Sequence, residues 1–212
     1  MQNVLVMWDW DGTIVDNHVS ARLALQDMAD KYGLGKITDD DLQSVMGAYR
    51  GAFWTFRFGQ TADEPYHYFI KRFEDYNQKN KPYVYDGVQK ALDYLKNKNI
   101  PQIVLSNMPQ AMLDEQSGRA GLQKYFVRLT GLGAGEKDRK PYIEHVQKAT
   151  DGITYDRLIM VGDGESDLMT AQNACARMIY IGQKKRADFK YDYLACEHTQ
   201  ILEFLKRLIE GK

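Results

Sequence analysis

Val4-Leu5-Val6-Met7-Trp8-Asp9-Trp10-Asp11-Gly12-Thr13 is the stretch that decides the fold. Its first five residues form an unbroken apolar run. Such a run predicts a strand buried on both faces of a parallel sheet. Asp9, Asp11 and Gly12 then stop the strand with two acids and a turn residue. In an open parallel sheet, ligands bind beyond the carboxyl ends of the strands. The two acids are therefore expected on the binding rim.

Reading outward, a helix is expected from about Asn17, with Ala21, Leu25, Met28, Ala29 and Tyr32 on one face and Gly33 as the stop. Thr38-Asp39-Asp40-Asp41 has the form of a capping box before a second helix. A third should begin near Pro65. From Asp86 onward, helices alternate with strands at Gln102–Leu105, Phe126–Leu129, Leu158–Val161 and Met178–Ile181, and a last helix runs from about Thr199 to Ile209. Alternation of this kind predicts an α/β fold: a doubly wound, Rossmann-like parallel sheet built from residues 1–16 and 85–212. Residues 17–84 break the alternation, show no strand, and hold 12 of the 25 aromatic residues. An inserted α-helical cap subdomain explains both features.

Composition narrows the function. The chain has 212 residues, 44% hydrophobic and 27% charged, the mixture of a soluble globular protein and not of a disordered chain or fibre. With 28 basic and 29 acidic residues, the net charge of −1 supplies no global field for nucleic acid or an anionic membrane. Cys175 and Cys196 are too few for a disulfide scaffold and match no zinc spacing, as expected of reduced thiols in the cytosol. The first apolar run meets Asp9 too soon for a signal peptide, and no run approaches the roughly 20 residues of a membrane span. A cytoplasmic protein, monomer or homodimer, is expected.

Three strand ends carry polar groups that can do chemistry: Asp9 and Asp11, then Ser106 and Asn107, then Asp163 with Asp167 on the following loop. Lys140, before Pro141 at a helix start, should face the same rim. Four carboxylates disfavour joint ionisation unless a cation joins them. Hard oxygen donors with room for water favour Mg²⁺. Beside a lysine, such a site attracts a phosphoryl group and lets a carboxylate attack phosphorus. A second carboxylate can protonate the leaving oxygen and later deprotonate the attacking water.

Asp9-Trp10-Asp11-Gly12-Thr13, Ser106-Asn107, Lys140-Pro141 and Gly162-Asp163-Gly164-Glu165-Ser166-Asp167 resemble, in order, the four motifs of the haloacid dehalogenase superfamily. The helical insertion resembles the cap of its phosphoglycolate phosphatase-like branch. The resemblance implies Asp9 as nucleophile and metal ligand, and Asp11 as general acid and base that also binds the metal through its backbone carbonyl. Thr13 would support Asp11, Ser106 and the backbone of Asn107 would hold phosphoryl oxygens, and Lys140 would neutralise Asp9 and the phosphate. Asp163 would ligate Mg²⁺ and Asp167 would order its water shell. Trp10 is bulkier than the Leu or Phe expected between the two acids, and Cys175 stands where the family commonly has Ala-Gly.

Within Gly47-Ala48-Tyr49-Arg50-Gly51, Arg50 is a candidate to pair with a second anionic group on the substrate. The expected activity is a Mg²⁺-dependent phosphatase acting on a small phosphorylated metabolite through an aspartyl phosphate. A phosphomutase of the same branch and a non-catalytic phosphate-binding protein are the alternatives. Asp11 separates the phosphatase from dehalogenases and phosphonatases, which the family resemblance says lack an acid there.

Overall fold

A computed structural model describes residues 3–46, 63–80, 82–133 and 139–211. Strand β1, Val4–Trp8, is buried throughout. Its side chains alternate: Val4, Val6 and Trp8 enter one apolar layer, Leu5 and Met7 the other. That period of two is what a strand covered on both faces requires.

After a two-residue strand β2, Val15–Asp16, the described residues form three helices: α1 (His18–Tyr32), α2 (Asp39–Met46) and α3 (Asp63–Lys79). Gly33 closes α1 in the left-handed conformation, as its position predicts. Thr38 and Asp41 form the expected reciprocal cap of α2, with the Asp41 N–H donating to Thr38 Oγ1 and the Thr38 N–H to Asp41 Oδ2. Strand β3, Tyr83–Val84, pairs antiparallel with β2. It lies inside the stretch read as strand-free, and two residues are too short to show a pattern.

The rest alternates: α4 (Val88–Asn97), β4 (Gln102–Pro109), α5 (Gln110–Ala120), β5 (Arg128–Leu132), α6 (Ile143–Thr150), β6 (Arg157–Gly162), α7 (Glu165–Asn173), β7 (Arg177–Ile181), β8 (Tyr193–Ala195) and α8 (Ile201–Glu210). The sheet runs β5-β4-β1-β6-β7-β8, and every pairing in it is parallel. Helices α1, α4 and α8 supply Leu25, Leu92 and Leu205 to one layer, while α6 and α7 supply Val146 and Leu168 to the other. This is the doubly wound α/β core that the sequence predicts.

Two strand expectations need correction. The third sheet strand in the chain begins at Arg128, not Phe126, because Phe126 and Val127 follow the short turn of helix at Gln123–Tyr125. The edge strand β8 was not anticipated, since only one of its three residues is fully buried. Strand order reverses between β1 and β6, so the crevice of this fold opens above their carboxyl ends. No helix among the described residues is long and apolar enough to cross a membrane.

Candidate active site

Asp9 follows β1 directly, and its N–H still donates to Val161 O of β6 at 2.9 Å. Asp163 follows β6 directly, so adjacency of the two strands sets two acids side by side. Asp167 sits in the first turn of α7. Its Oδ2 accepts the Gly164 N–H at 2.9 Å and so caps its own helix. Backbone approach this close needs missing side chains. A Cβ on Gly12, whose φ is +76°, would lie 2.2 Å from Asp163 Oδ2, and one on Gly162 would lie 2.4 Å from Asp167 Cγ.

The lysine closes the group. Lys140 Nζ donates to Asp9 Oδ1 and to Asp167 Oδ1, both at 2.6 Å. The lysine is only 4% exposed. Its main chain is tied to β4: the Lys140 N–H donates to Asn107 Oδ1 at 2.9 Å, and Asn107 Nδ2 donates back to Lys140 O at 3.5 Å. Asp9, Asp163 and Asp167 each offer an oxygen within 4.8 Å of the others, a set that can hold a metal ion.

The electrostatics of this cluster are lopsided, with three carboxylates around one ammonium. Burial, then the charge of Asp167, raises Asp9 well above the ordinary carboxylate range against the pull of Lys140. The same two causes push Asp163 from 3.8 up to about 7. Burial works against the charged form of Lys140, but Asp167 and Asp9 overcome it and hold the ammonium above its ordinary value. All-oxygen donors with surplus negative charge suit a hard divalent cation.

Asp9, Asp11, Ser106, Asn107, Lys140, Asp163 and Asp167 line one cavity of about 140 Å³. Thr13 is fully buried, and its Oγ1 donates to Asp163 Oδ1 at 3.2 Å, so it braces that carboxylate. The carboxylate of Asp11 stands outside the three-acid group and accepts a hydrogen bond from Asn17 Nδ2. Asn107 uses its side chain on Lys140, while Ser106 Oγ accepts the Met108 N–H at 3.1 Å. Arg50 lies outside the described residues.

Residues 6–181 match the family model described as haloacid dehalogenase-like hydrolase. The chain belongs to that family. A phosphoglycolate phosphatase from Agrobacterium fabrum is 28% identical over 186 residues, covering 82% of this chain and 78% of that protein. A haloacid dehalogenase-like family hydrolase from Streptococcus pneumoniae superposes with a TM-score of 0.79 at 14% identity, covering 96% of this chain and 98% of that one. The CbbY protein from Rhodobacter sphaeroides, solved with xylulose-(1,5)bisphosphate, gives a TM-score of 0.72 at 15% identity over 94% and 96% of the two chains. The chain sits on the phosphoglycolate phosphatase-like branch of the haloacid dehalogenase-like hydrolases.

Sequence reasoning missed a polar pair that supports Asp11 from outside the cavity lining, Asn17 and Gln116, which are 99 positions apart and share a hydrogen bond. No local motif marks them. A buried glutamine on the apolar face of α5, beside Met112 and Leu113, was the one available signal.

The charge imbalance yields a pair of opposite predictions. A carboxylate whose folded pKa is raised contributes its full stability below about pH 4 and loses it as pH rises through about 7. Asp163→Asn should therefore raise the melting temperature of the metal-free hydrolase at pH 8 by at least about 2 °C, the shift that 1 kcal/mol produces in a domain of this size. Lys140→Met leaves two buried acids unpaired and should lower stability by about 3–5 kcal/mol, read from urea unfolding in chelator at the same pH. Equal signs for the two variants would contradict this electrostatic description.

Proposed function

We propose that this hydrolase cleaves phosphate monoesters of small metabolites through an aspartyl phosphate on Asp9, with Mg²⁺ as cofactor, in the cytoplasm. The observation that carries the reading is the ammonium of Lys140 shared between Asp9 and Asp167, beside Asp163, at the switch point of the sheet. An ordinary structural ion pair has no need of a third, half-buried acid beside it. Asp9, Asp163 and the backbone carbonyl of Asp11 would hold the ion, and Asp167 would order its water. When bound, the ion screens the charge that the phosphoryl oxygens and Asp9 would otherwise set against each other.

Asp9 attacks phosphorus, forming an O–P bond as the ester O–P bond breaks. Asp11, half-buried two residues further on, gives its proton to the leaving oxygen. As a carboxylate, it then takes a proton from water. The oxygen of that water displaces Asp9 and releases inorganic phosphate. Ser106 and the backbone of Asn107 receive the phosphoryl oxygens, and Lys140 offsets the charge on Asp9 throughout.

The helical insertion serves as the cap. From it, Val45 of α2 and Tyr66, Phe69, Ile70 and Phe73 of α3 line the cavity opposite the acids. That apolar roof excludes water from the phosphoryl end and faces the leaving group. The free thiols of Cys175 and Cys196 suit a reducing compartment. The relatives named as phosphoglycolate phosphatases and the neighbour solved with a sugar bisphosphate support a small phosphorylated substrate.

A panel of phosphorylated metabolites and p-nitrophenyl phosphate, scored by phosphate release with Mg²⁺, tests the reading. Release should stop on chelation and return with added Mg²⁺. Asp9→Asn should lower kcat about a thousandfold or more, because an amide is a poor nucleophile. Wild-type rates in that variant would overturn the assignment. Isomerisation of a sugar phosphate without phosphate release would make the protein a mutase instead.

A further inference from the structure

Two residues of this chain break the local rules of their own elements, and both breaches meet at Asp11. Asn17 occupies the N-cap position of α1, where an asparagine side chain ordinarily accepts an N–H from the first turn. Here it makes no capping hydrogen bond. Its Nδ2 donates instead to Asp11 Oδ1 and, at 3.1 Å, to Gln116 Oε1. Gln116 stands on the buried face of α5 and is 2% exposed. Its Oε1 also accepts the Trp10 Nε1–H at 2.9 Å, while its Nε2 is buried with no hydrogen-bond partner among the described residues. A buried donor without a partner is a standing cost in a core helix. Asp16 Oδ1 takes the first N–H of α1, that of His18, at 2.9 Å, which leaves Asn17 free of capping. Helix α5 carries a buried amide N–H group without a partner among the described residues, and the common product is a donor held against one oxygen of Asp11. Local inconsistencies of this kind concentrate at functional positions.

We infer that Trp10, Gln116 and Asn17 form a relay that positions the Asp11 carboxyl for proton transfer, with Asn17 as the positioning residue and Gln116 as its anchor. This rests on the reading of Asp11 as acid and base. Gln116 Oε1 receives two N–H groups from fixed directions and so sets where Asn17 Nδ2 lies. Asn17 in turn restricts rotation of the Asp11 side chain. The bulk of Trp10 thereby acquires a role, since a Leu or Phe between the two acids has no N–H for Gln116. Asn17 acts through the Asp11 carboxyl, to which it donates.

Proton donation matters most when the leaving oxygen is basic. An alkyl monoester needs the Asp11 proton as the ester bond breaks, whereas p-nitrophenolate leaves without one. Rapid-quench measurement of phosphoenzyme formation in Asn17→Ala should show the rate from an alkyl phosphate falling about tenfold or more, with the rate from p-nitrophenyl phosphate reduced no more than about twofold. KM for either ester should change little. Asn17→Asp keeps the shape of the side chain, has no N–H for Asp11, and should reproduce the selective loss. Gln116→Leu should show it in weaker form. Equal losses on both esters in the two Asn17 variants, or no loss on the alkyl ester, would overturn the positioning role. A wild-type protein inert toward both esters would overturn the phosphatase reading and this inference together, which keeps the two failures distinguishable.

Discussion

An ammonium ion buried between two carboxylates organises this molecule. Lys140 is held at 2.6 Å from Asp9 and at 2.6 Å from Asp167, and each of the three would be expensive to bury alone. Separate parts of the sheet must cooperate to bring them together. Strand β1 delivers Asp9, the turn into α7 delivers Asp167, and Asn107 near the end of β4 grips the main chain of Lys140. The glycines at 12 and 162 follow from the same demand, since neither Asp163 nor Asp167 could approach so closely past a Cβ. Yet the arrangement is left unbalanced by Asp163. A fold that concentrates surplus negative charge at a sheet rim is prepared for a cation and for the anion that the cation brings.

Much of this was legible because buried parallel strands leave long apolar runs in the sequence. Val4–Trp8 and Leu158–Val161 are such runs, and the acids just beyond them, Asp9 and Asp163, belong to the carboxylate cluster. Short elements left no such trace. Strands β2 and β3 are two residues each, and β8 is three residues at a sheet edge. Their pairing depends on tertiary neighbours, not on pattern.

The site was legible to the same depth. Acids next to strand ends are visible as motifs, but their supports are not. Thr13 reaches Asp163, 150 positions away, a contact that no local pattern shows. Asn17 reads only as the approximate start of a helix, and the structure sets its side chain against Asp11. Local sequence shows only local partners, and burial in a common core supplies distant ones. The roof of the cavity, drawn from α2 and α3, brings apolar groups to face the charged floor.

The central claim is covalent: the phosphoryl group passes through Asp9. Turnover of a phosphate monoester quenched in acid, followed by mass spectrometry of the peptides, addresses it most directly. The account predicts the added mass of one phosphoryl group on the peptide carrying Asp9, localised to that residue and lost on longer incubation. Steady phosphate release with that peptide unmodified at every quench time, or a phosphoryl group trapped on a different acid, would contradict it.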